Sequence, residues 1–370
     1  MIPQLVMFCI LLLPFSAVAL GGSPADRRPL ATKVDSSYEN ITITEDVTWR
    51  GNVLVRGSLV VAPQATLRIE PGTVIRFMKS SIIRQTPRLV VMGRLHCIGS
   101  AEKPVLFAAN FAVNAKGDWG GLLFLSSEKR NQLEHCRIEG AETALQSHFS
   151  TLIAKGVAVI RCTSGIMLRD TVATLSGISV SGCTTGLEAH DSEIDLHDAI
   201  ITDNKKGIAA YRSTLVLASV KAIGNEKEGA LAEECRIRFT SCEFASNKVG
   251  AFIKGGEGQL QLTRFVKNSE TGLNLSGARI KVLRSLFADN RGDGMKVIDG
   301  RSSVWSSSFS GNSGYNLANA GLDDFSAVQN WWGINDEAAI MAKLSEAAKN
   351  DRSGAIMVAP WLTEKPLALP

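Results

Sequence analysis

The sequence has few of the residues that build metal and redox centres. Its 370 residues include five histidines and seven cysteines, and no two cysteines form a C-x-x-C pair. Structural zinc sites and thioredoxin-like redox sites commonly use such pairs, so the sequence gives little support for either. Tyrosine is also scarce, with three residues, which makes any exposed tyrosine worth locating.

Long runs of like charge are absent as well. The 40 basic and 36 acidic residues are spread along the chain, with a formal net charge of +4 and no run of five like charges. This balance gives little reason to expect a nucleic-acid partner, and no nucleic-acid-binding motif is present. With 45% hydrophobic and 21% charged residues, the chain has enough apolar residues for a large core and is neither disordered nor membrane-embedded.

The N-terminus is typical of a secretory signal. An apolar run from Leu5 to Leu13 is followed by Pro14 and by the A-x-A pattern of residues 17–19. We therefore expect a signal peptide over residues 1–19, and a mature protein in the periplasm, at the outer surface or outside the cell. The run is too short to span a membrane, so no integral span is expected after its removal.

A repeat of 20 to 22 residues dominates the chain from residue 141 onward. Each copy contains a turn residue, then a glycine, from Gly165 to Gly314, and usually an apolar residue after it. The turn residue is a cysteine in the first copies and later an asparagine: Asn204, Asn225, Asn247, Asn268, Asn290 and Asn312. Three positions before it lies an apolar column that ends in four phenylalanines: Phe244, Phe265, Phe287 and Phe309.

Each copy holds three short alternating segments rich in β-branched residues, and none has helical periodicity. Such segments, repeated in register, predict a coil of three strands per turn that stack at about 4.8 Å per rung. Inward side chains then stack on their own copies. We expect the asparagines to satisfy one another and the turn backbone.

These features resemble the right-handed parallel β-helix proteins, the fold shared by pectate lyases and many secreted bacterial surface proteins. The resemblance implies an all-β, single-stranded right-handed parallel β-helix with 21–22-residue rungs. We expect an N-terminal segment and cap over 20–47, the β-helix over 48–325 and a C-terminal cap over 326–370. The cap contains the motif NWWG and a short helix, which Asp336 can cap and whose apolar face carries Ile340, Leu344 and Ala347.

One outward column is richer in chemistry than the others. It lies four residues after each repeat glycine, with further polar or aromatic residues at plus two and plus five. In sugar-cleaving β-helix enzymes the substrate generally lies along one sheet face, so the resemblance implies a ligand-binding stripe here. Its residues are His148, Arg169, Glu188, His190, Asp191, Tyr211, Arg212, Glu233, Phe252 and Lys254, with Asp170 beside them. By contrast, Glu193, Asp195 and His197 form an isolated outward patch without reinforcement from neighbouring rungs.

Three functions remain open. The first is a non-catalytic, exported protein, favoured as a monomer, that binds polysaccharide along this stripe. The second is a polysaccharide lyase, glycoside hydrolase or epimerase acting on an extended glycan. The third, a periplasmic metal-site assembly factor, is argued against by the lack of His, Met or Cys clusters.

No catalytic set is fixed by the sequence. The paired carboxylates expected of a hydrolase, and the Asn-Thr-Asp, Asp-Asp and Gly-His-Gly pattern of polygalacturonases, are missing. The catalytic candidates are Arg169, Asp170, His190, Asp191, Arg212 and Glu233. No cofactor is expected, except that Asp170 and Asp191 are weak candidates for a calcium site like that of pectate lyases.

Two cysteines occupy the turn column. Cys162 and Cys183 should stack at the rung spacing, within disulfide range. We favour free thiols, because asparagine takes the same position in later copies. Cys136 and Cys242 share a column but lie five rungs apart, so they should not pair.

Overall fold

The repeat folds into rungs of three strands joined by short bends. The structure, a computed structural model, describes residues 28–81, 85–346 and 354–366. It forms three parallel sheets of 13, 14 and 14 strands, in which each strand pairs with the corresponding strand of the next rung. The predicted right-handed parallel β-helix is confirmed. The signal peptide expected over residues 1–19 lies outside the described residues, and the predicted domain bounds stay a prediction.

The strands are short, from two to six residues, and each sheet takes one strand from every rung. The first sheet contains Ser36–Glu39, Asn52–Arg56, Val74–Met78, Val105–Ala109, Cys136–Glu139, Ala158–Ile160, Ser179–Ser181, Ile200–Thr202, Lys221–Ile223, Glu243–Ala245, Arg264–Val266, Leu286–Ala288 and Ser308–Ser310. The second sheet contains Thr42–Ile43, Leu59–Val61, Arg88–Val91, Gly121–Leu125, Thr143–His148, Ser164–Arg169, Thr185–His190, Lys206–Tyr211, Glu228–Glu233, Val249–Lys254, Thr271–Ser276, Met295–Ile298, Leu317–Asn319 and Leu344–Glu346. The third sheet contains Val47–Trp49, Thr66–Ile69, Arg94–Ile98, Arg130–Glu134, Thr151–Lys155, Val172–Ser176, Glu193–His197, Thr214–Ala218, Arg236–Thr240, Glu257–Gln261, Arg279–Leu283, Ser303–Trp305, Phe325–Ser326 and Ile356–Met357.

The register of the sheets places apolar residues on one another along the interior. In the third sheet Leu175, Leu196 and Leu217 are successive partners, and all three are buried. The strands alternate buried and accessible residues, as expected when one face packs on the core and the other meets water. One continuous apolar cluster therefore runs through the coil.

The asparagines form a ladder at the bend between the first and second sheets. Each Nδ2 donates to the Oδ1 of the next asparagine at 2.8 to 3.4 Å, from Asn204 to Asn312. Each Oδ1 also accepts the backbone N–H of the preceding ladder residue, beginning with Cys183. All six side chains are buried, so the ladder satisfies amide groups that would otherwise be costly to bury.

The phenylalanines stack beside this ladder. Ring centroids of Phe244, Phe265, Phe287 and Phe309 follow one another at 5.5, 5.1 and 4.6 Å. Trp332 of the NWWG motif continues the stack, 4.8 Å beyond Phe309. The motif thus closes the aromatic column with an apolar ring.

The C-terminal helix is shorter than predicted. It spans Glu337–Met341, and the side chain of Asp336 accepts the N–H of Ala339 at 2.8 Å, as expected for its cap. Leu344, expected on the apolar helix face, lies instead in the strand Leu344–Glu346, which pairs with Leu317–Asn319. The prediction of helix at Leu344 was wrong because this strand pairs with the otherwise open edge of the last rung. Helical periodicity does not reveal that such an edge requires a partner strand. Ala347 lies outside the described residues.

Candidate functional site

The outward residues four positions after each glycine share one ladder of the second sheet. We call this ladder the post-glycine stripe, and its members pair in the order His148, Arg169, His190, Tyr211, Glu233 and Lys254. Glu188 and Phe252 belong to the parallel ladder two residues earlier, where Ala209 and Leu231 separate them. The structure therefore brings the predicted residues at plus two and plus four onto one face.

The predicted plus-five residues lie at a bend rather than on the sheet. Asp170, Asp191, Arg212 and Glu234 all have positive φ, between 47° and 52°. Non-glycine residues adopt this left-handed conformation infrequently, and Asp tolerates it better than most. In the next two rungs the column continues as Gly255 and Gly277, with φ of 64° and 62°. Those glycines were the signal in the sequence that the column is a turn.

Polar groups of the stripe bond largely to one another. Nε2 of His190 lies 2.9 Å from Oε1 of Glu188, and its ring stacks on Tyr211 with centroids 4.7 Å apart and an interplanar angle of 15°. Nε2 atoms of Gln146 and His148 lie 2.7 Å apart. The face is thus a set of paired side chains on a flat sheet.

Arg212 holds Asp191 in a two-pronged ion pair. Its Nε and Nη2 atoms donate to the two carboxylate oxygens at 2.8 and 2.7 Å. The hydrogen bond from Arg212 lowers the pKa of Asp191 below its ordinary value. Burial, followed by the nearby carboxylates of Glu188 and Glu233, raises the pKa of Tyr211.

The calcium candidates Asp170 and Asp191 do not stand in a ligand cluster. Within residues 28–81, 85–346 and 354–366, no group of three or more His, Cys, Asp or Glu side chains is arranged to hold a metal ion. The carboxylate of Asp191 already faces a guanidinium. Ca²⁺ takes six to eight oxygen ligands, and Asp170 and Asp191 alone do not supply such a set.

A second surface feature lies on the outward face of the third sheet. A groove of about 660 Å³ runs across consecutive rungs and carries five cationic side chains, with Glu257 as the one acid among its lining residues. We call it the basic groove. Its lining consists of Thr214, Val216, Arg236, Ile237, Arg238, Glu257, Gly258, Gln259, Arg279, Lys281, Arg301 and Ser303.

Strand alternation and register produce this concentration of charge. Arg236 and Arg238 are outward residues of one strand, two positions apart, so they point to the same face. They pair with Glu257 and Gln259, which in turn pair with Arg279 and Lys281. The rung before Glu257 and the rung after it therefore both present cations, and Glu257 is the single acidic residue between them.

Gly258 lies in the floor of the groove between Ile237 and Ile280. Its φ is +154°, and a Cβ atom there would approach the carbonyl oxygen of Ile237 to 2.0 Å. A larger residue would force the two strands apart, so glycine permits the close approach of backbone that this position requires.

Most of the cations in the groove lack an acidic partner. Glu257 lies 3.6 Å from Arg236 in an exposed ion pair. Among the residues that the structure describes, no carboxylate lies within ion-pair distance of Arg238, Arg279, Lys281 or Arg301. The groove is consequently a local positive field on a protein of nearly balanced charge.

The isolated patch of Glu193, Asp195 and His197 lies on the same sheet. Nε2 of His197 is 2.5 Å from Oδ1 of Asp195. As predicted from the repeat, Glu193, Asp195 and His197 pair with Thr214, Val216 and Ala218 in the next rung. An acid-containing patch therefore adjoins one end of the basic groove, a relation that the sequence-based interpretation missed.

Sequence reasoning overlooked the groove because it did not follow the outward columns of the third sheet beyond the patch of Glu193, Asp195 and His197. Applied to the third sheet, the same repeat places Arg236, Arg279 and Arg301 at equivalent steps, with Arg238 and Lys281 two residues later in their strands. That pattern was a detectable signal of basic charge. The concavity was not detectable, because it depends on the three-dimensional arrangement of side chains from several rungs.

Comparisons with known proteins agree with this architecture. Residues 41–148 match the model of a pectate-lyase-like β-helix domain, and residues 146–279 match that of a right-handed β-helix region. The chain is a right-handed parallel β-helix protein. No curated protein matches it significantly.

Solved structures similar to this β-helix protein include three polysaccharide-active proteins. A mutant of the periplasmic alginate epimerase AlgG is 12% identical, with 86% of this chain and 78% of that chain covered and a TM-score of 0.45. The A-module of mannuronan C-5 epimerase AlgE4 from Azotobacter vinelandii is 15% identical, with coverage of 85% and 91% and a TM-score of 0.40. Pectate lyase Pel9A is 12% identical, with coverage of 82% and 71% and a TM-score of 0.23. At such identities these likenesses concern the fold alone.

No helix in the described part of the chain is both long and apolar enough to cross a membrane.

Proposed function

We propose that this protein is an exported β-helix protein that binds an acidic polysaccharide along the basic groove of the third sheet. The observation that carries the proposal is the groove itself, a 660 Å³ depression with five cationic side chains and one acidic side chain. Cations without partners stay hydrated in the free protein. They are available to a ligand that supplies negative charge.

The shape of the groove fits an extended ligand. Its lining residues come from successive rungs, from Thr214 to Ser303, and successive rungs are about 4.8 Å apart. A linear chain with an acidic group on its sugar units meets cationic side chains in three of the five rungs that it crosses. Arginine suits this role because its planar guanidinium can bind a carboxylate through two parallel hydrogen bonds.

Three further observations favour a glycan over another polyanion. Residues 41–148, which lie outside the groove, match a model described as a pectate-lyase-like β-helix domain. Trp305, in the strand Ser303–Trp305, is half-buried and outward, and it offers a ring surface next to the groove. Formal net charge is only +4, low for a protein that binds nucleic acid by its overall field.

The post-glycine stripe remains a second candidate surface for the same function. The stacked pair of His190 and Tyr211 supports it, since it presents aromatic area on an outward sheet. The paired charges of the stripe weaken it, because a ligand must displace existing contacts such as that between Asp191 and Arg212.

A lyase or epimerase is the alternative function. The closeness of Asp195 and His197 beside the groove favours it, because a histidine next to a carboxylate is a candidate general base for removal of a proton from a bound sugar. Incubation of the protein with polygalacturonate and alginate, followed by assay for unsaturated and epimerised products, tests this. Product that disappears in His197→Ala supports catalysis, and absence of product supports the binding function.

Calorimetric titration with polygalacturonate and with neutral dextran tests the proposed function. We expect binding of the acidic polymer alone. In Arg238→Ala/Lys281→Ala, affinity should fall about 100-fold or more, because each charge-assisted contact contributes about 1.5–3 kcal/mol. The matched control is Lys205→Ala/Lys227→Ala, which removes the same charge at exposed positions between the first and second sheets. Equal losses in both variants would show that only overall charge matters.

A further inference from the structure

Two buried thiols touch inside the coil, away from the groove and the stripe. Sγ of Cys97 and Sγ of Cys136 are 3.3 Å apart, and both residues are at most 1% exposed. The structure holds them as free thiols. Neither the repeat nor the column analysis paired them, because Cys97 precedes the regular repeat.

The two cysteines lie on different sheets in consecutive rungs. Cys97 belongs to the strand Arg94–Ile98 of the third sheet and pairs with Leu133 of the next rung. After Leu133 the chain bends, and Cys136 opens the strand Cys136–Glu139 of the first sheet. The side chains therefore meet across the bend between the third and first sheets, at a separation of 39 residues along the chain.

We propose that Cys97 and Cys136 form a disulfide in the exported protein. A disulfide from a small-molecule or protein oxidant supplies the oxidising equivalent. One cysteine thiolate attacks it and releases one thiol; the second cysteine thiolate attacks the resulting mixed disulfide and releases the other thiol. The net change is two protein thiols and one oxidant disulfide converted to one protein disulfide and two oxidant thiols.

The other cysteines have different roles. The Sγ of Cys162 accepts the backbone N–H of Ala141 at 3.3 Å, the contact that an asparagine makes elsewhere in the same ladder. The Sγ of Cys235 likewise accepts the N–H of Ser213 at 3.4 Å. These sulfurs replace amide or hydroxyl oxygens in ladders. Cys97 instead occupies a purely apolar column, where its close polar neighbour is the thiol of Cys136.

Burial determines when the bond forms. Burial and the adjacent thiol of Cys136 raise the pKa of Cys97 well above its ordinary value, and a folded thiol of this kind is a poor nucleophile. The exchange therefore takes place while the rungs assemble. Once formed, the disulfide ties the third sheet to the first and restricts the unfolded chain, which stabilises the fold.

Mass spectrometry of protein from an oxidising secretory compartment tests the inference. The protein is denatured, alkylated without reductant and digested; a second sample is reduced first. We expect a peptide pair linked through Cys97 and Cys136, with Cys162, Cys183, Cys235 and Cys242 alkylated in the unreduced sample. Full alkylation without reductant, or a linked pair from other cysteines, would overturn the inference.

A second measurement covers the case in which a variant fails to fold. Wild-type protein is refolded with oxidised glutathione, and its thermal midpoint is compared with and without reductant. We expect the reductant to lower the midpoint of the wild type and to leave that of Cys97→Ala/Cys136→Ala unchanged. If the double variant does not fold, Cys97→Ala should leave Cys136 open to alkylation after denaturation. A wild-type midpoint that is indifferent to reductant would contradict a stabilising disulfide.

Discussion

The post-glycine stripe and the basic groove lie on neighbouring sheets of the same coil, yet their charges are arranged differently. In the stripe and directly beside it, Glu188 contacts His190 and Asp191 binds Arg212, so opposite groups largely satisfy one another. In the groove, Arg238 and Lys281 lie within a concave surface and have no described acidic partner. The same coil thus produces a face that is internally satisfied and a face whose cations lack acidic partners.

This difference teaches that polar outward residues alone do not identify a ligand site in a β-helix. Any outward column is mostly polar, and opposite charges in adjacent rungs stabilise the stack modestly. A binding site needs, in addition, unbalanced charge and a concave surface. Both conditions are met on the third sheet, where Gly258 permits the backbone approach.

The largest expected effect concerns the ladder that supports both faces. Asn268→Ala removes the acceptor of the Asn247 N–H and the donor to Phe244, both buried. Because each unsatisfied buried group costs about 1–3 kcal/mol, we expect a loss of about 2–5 kcal/mol in the free energy of unfolding. Equilibrium denaturation in urea measures it. Lys267→Ala, exposed in the adjacent position, is the control, and a similar loss there would refute a specific role of the ladder.

A charge reversal separates the two faces. Arg238→Glu should weaken polygalacturonate binding about 100-fold or more, because it removes a charge-assisted contact and adds repulsion. Arg169→Glu, the same change in the stripe, should alter the dissociation constant less than about twofold. Calorimetric titration of both variants provides the comparison. The reverse order of effects would make the stripe the binding face.

Salt should weaken ligand binding at the groove more than it lowers the stability of the fold. Its cations are exposed, as the 74% exposed side chain of Arg236 illustrates, and the Debye length shrinks from about 10 Å at 0.1 M to about 3 Å at 1 M salt. We expect polygalacturonate affinity to fall about tenfold between 0.05 and 0.5 M NaCl. The thermal midpoint should change little over this range. Affinity that is independent of salt would point to stacking as the main interaction.

The smallest expected effect is a pH-dependent contribution of the ion pair in the stripe. The hydrogen bond from Arg212 depresses the pKa of Asp191 below 3.8, so the pair stabilises the folded state above that value. The contribution is lost as the pH falls through the depressed pKa. Thermal midpoints of wild type and Asp191→Asn should differ slightly at pH 6 and converge at lower pH. In an Arg212→Gln background this difference should vanish, and its persistence would assign the effect to another partner.

Much of the fold could be predicted from the sequence because stacking forces each side chain to meet its own copy. The regular spacing of the asparagines from Asn204 to Asn312 predicts the number of residues per rung. That number in turn predicts which residues pair in all three sheets. The C-terminal strand at Leu344 could not be predicted in the same way. It occurs once, and its conformation depends on an open edge elsewhere in the coil.

The site was less predictable than the fold. The repeat brought the stripe residues onto one ladder, but it did not show that Asp191 and Arg212 lie at a left-handed bend and bind each other. The repeat also did not show that Cys97 and Cys136 touch, because these residues belong to different columns and meet across a bend. Column analysis predicts neighbours along the coil axis, while these contacts depend on geometry around the coil.

Covalent labelling of arginines tests most directly whether the basic groove is the ligand-binding face. The protein is treated with a dicarbonyl reagent in the presence and absence of polygalacturonate, and modification is read from peptide masses. We predict that the polymer protects Arg236, Arg238, Arg279 and Arg301 in the groove. Arg169, in the second sheet, and Arg212, at the bend after it, should react to the same extent with and without the polymer. Protection of Arg169 and Arg212 with unchanged labelling in the groove would contradict the account.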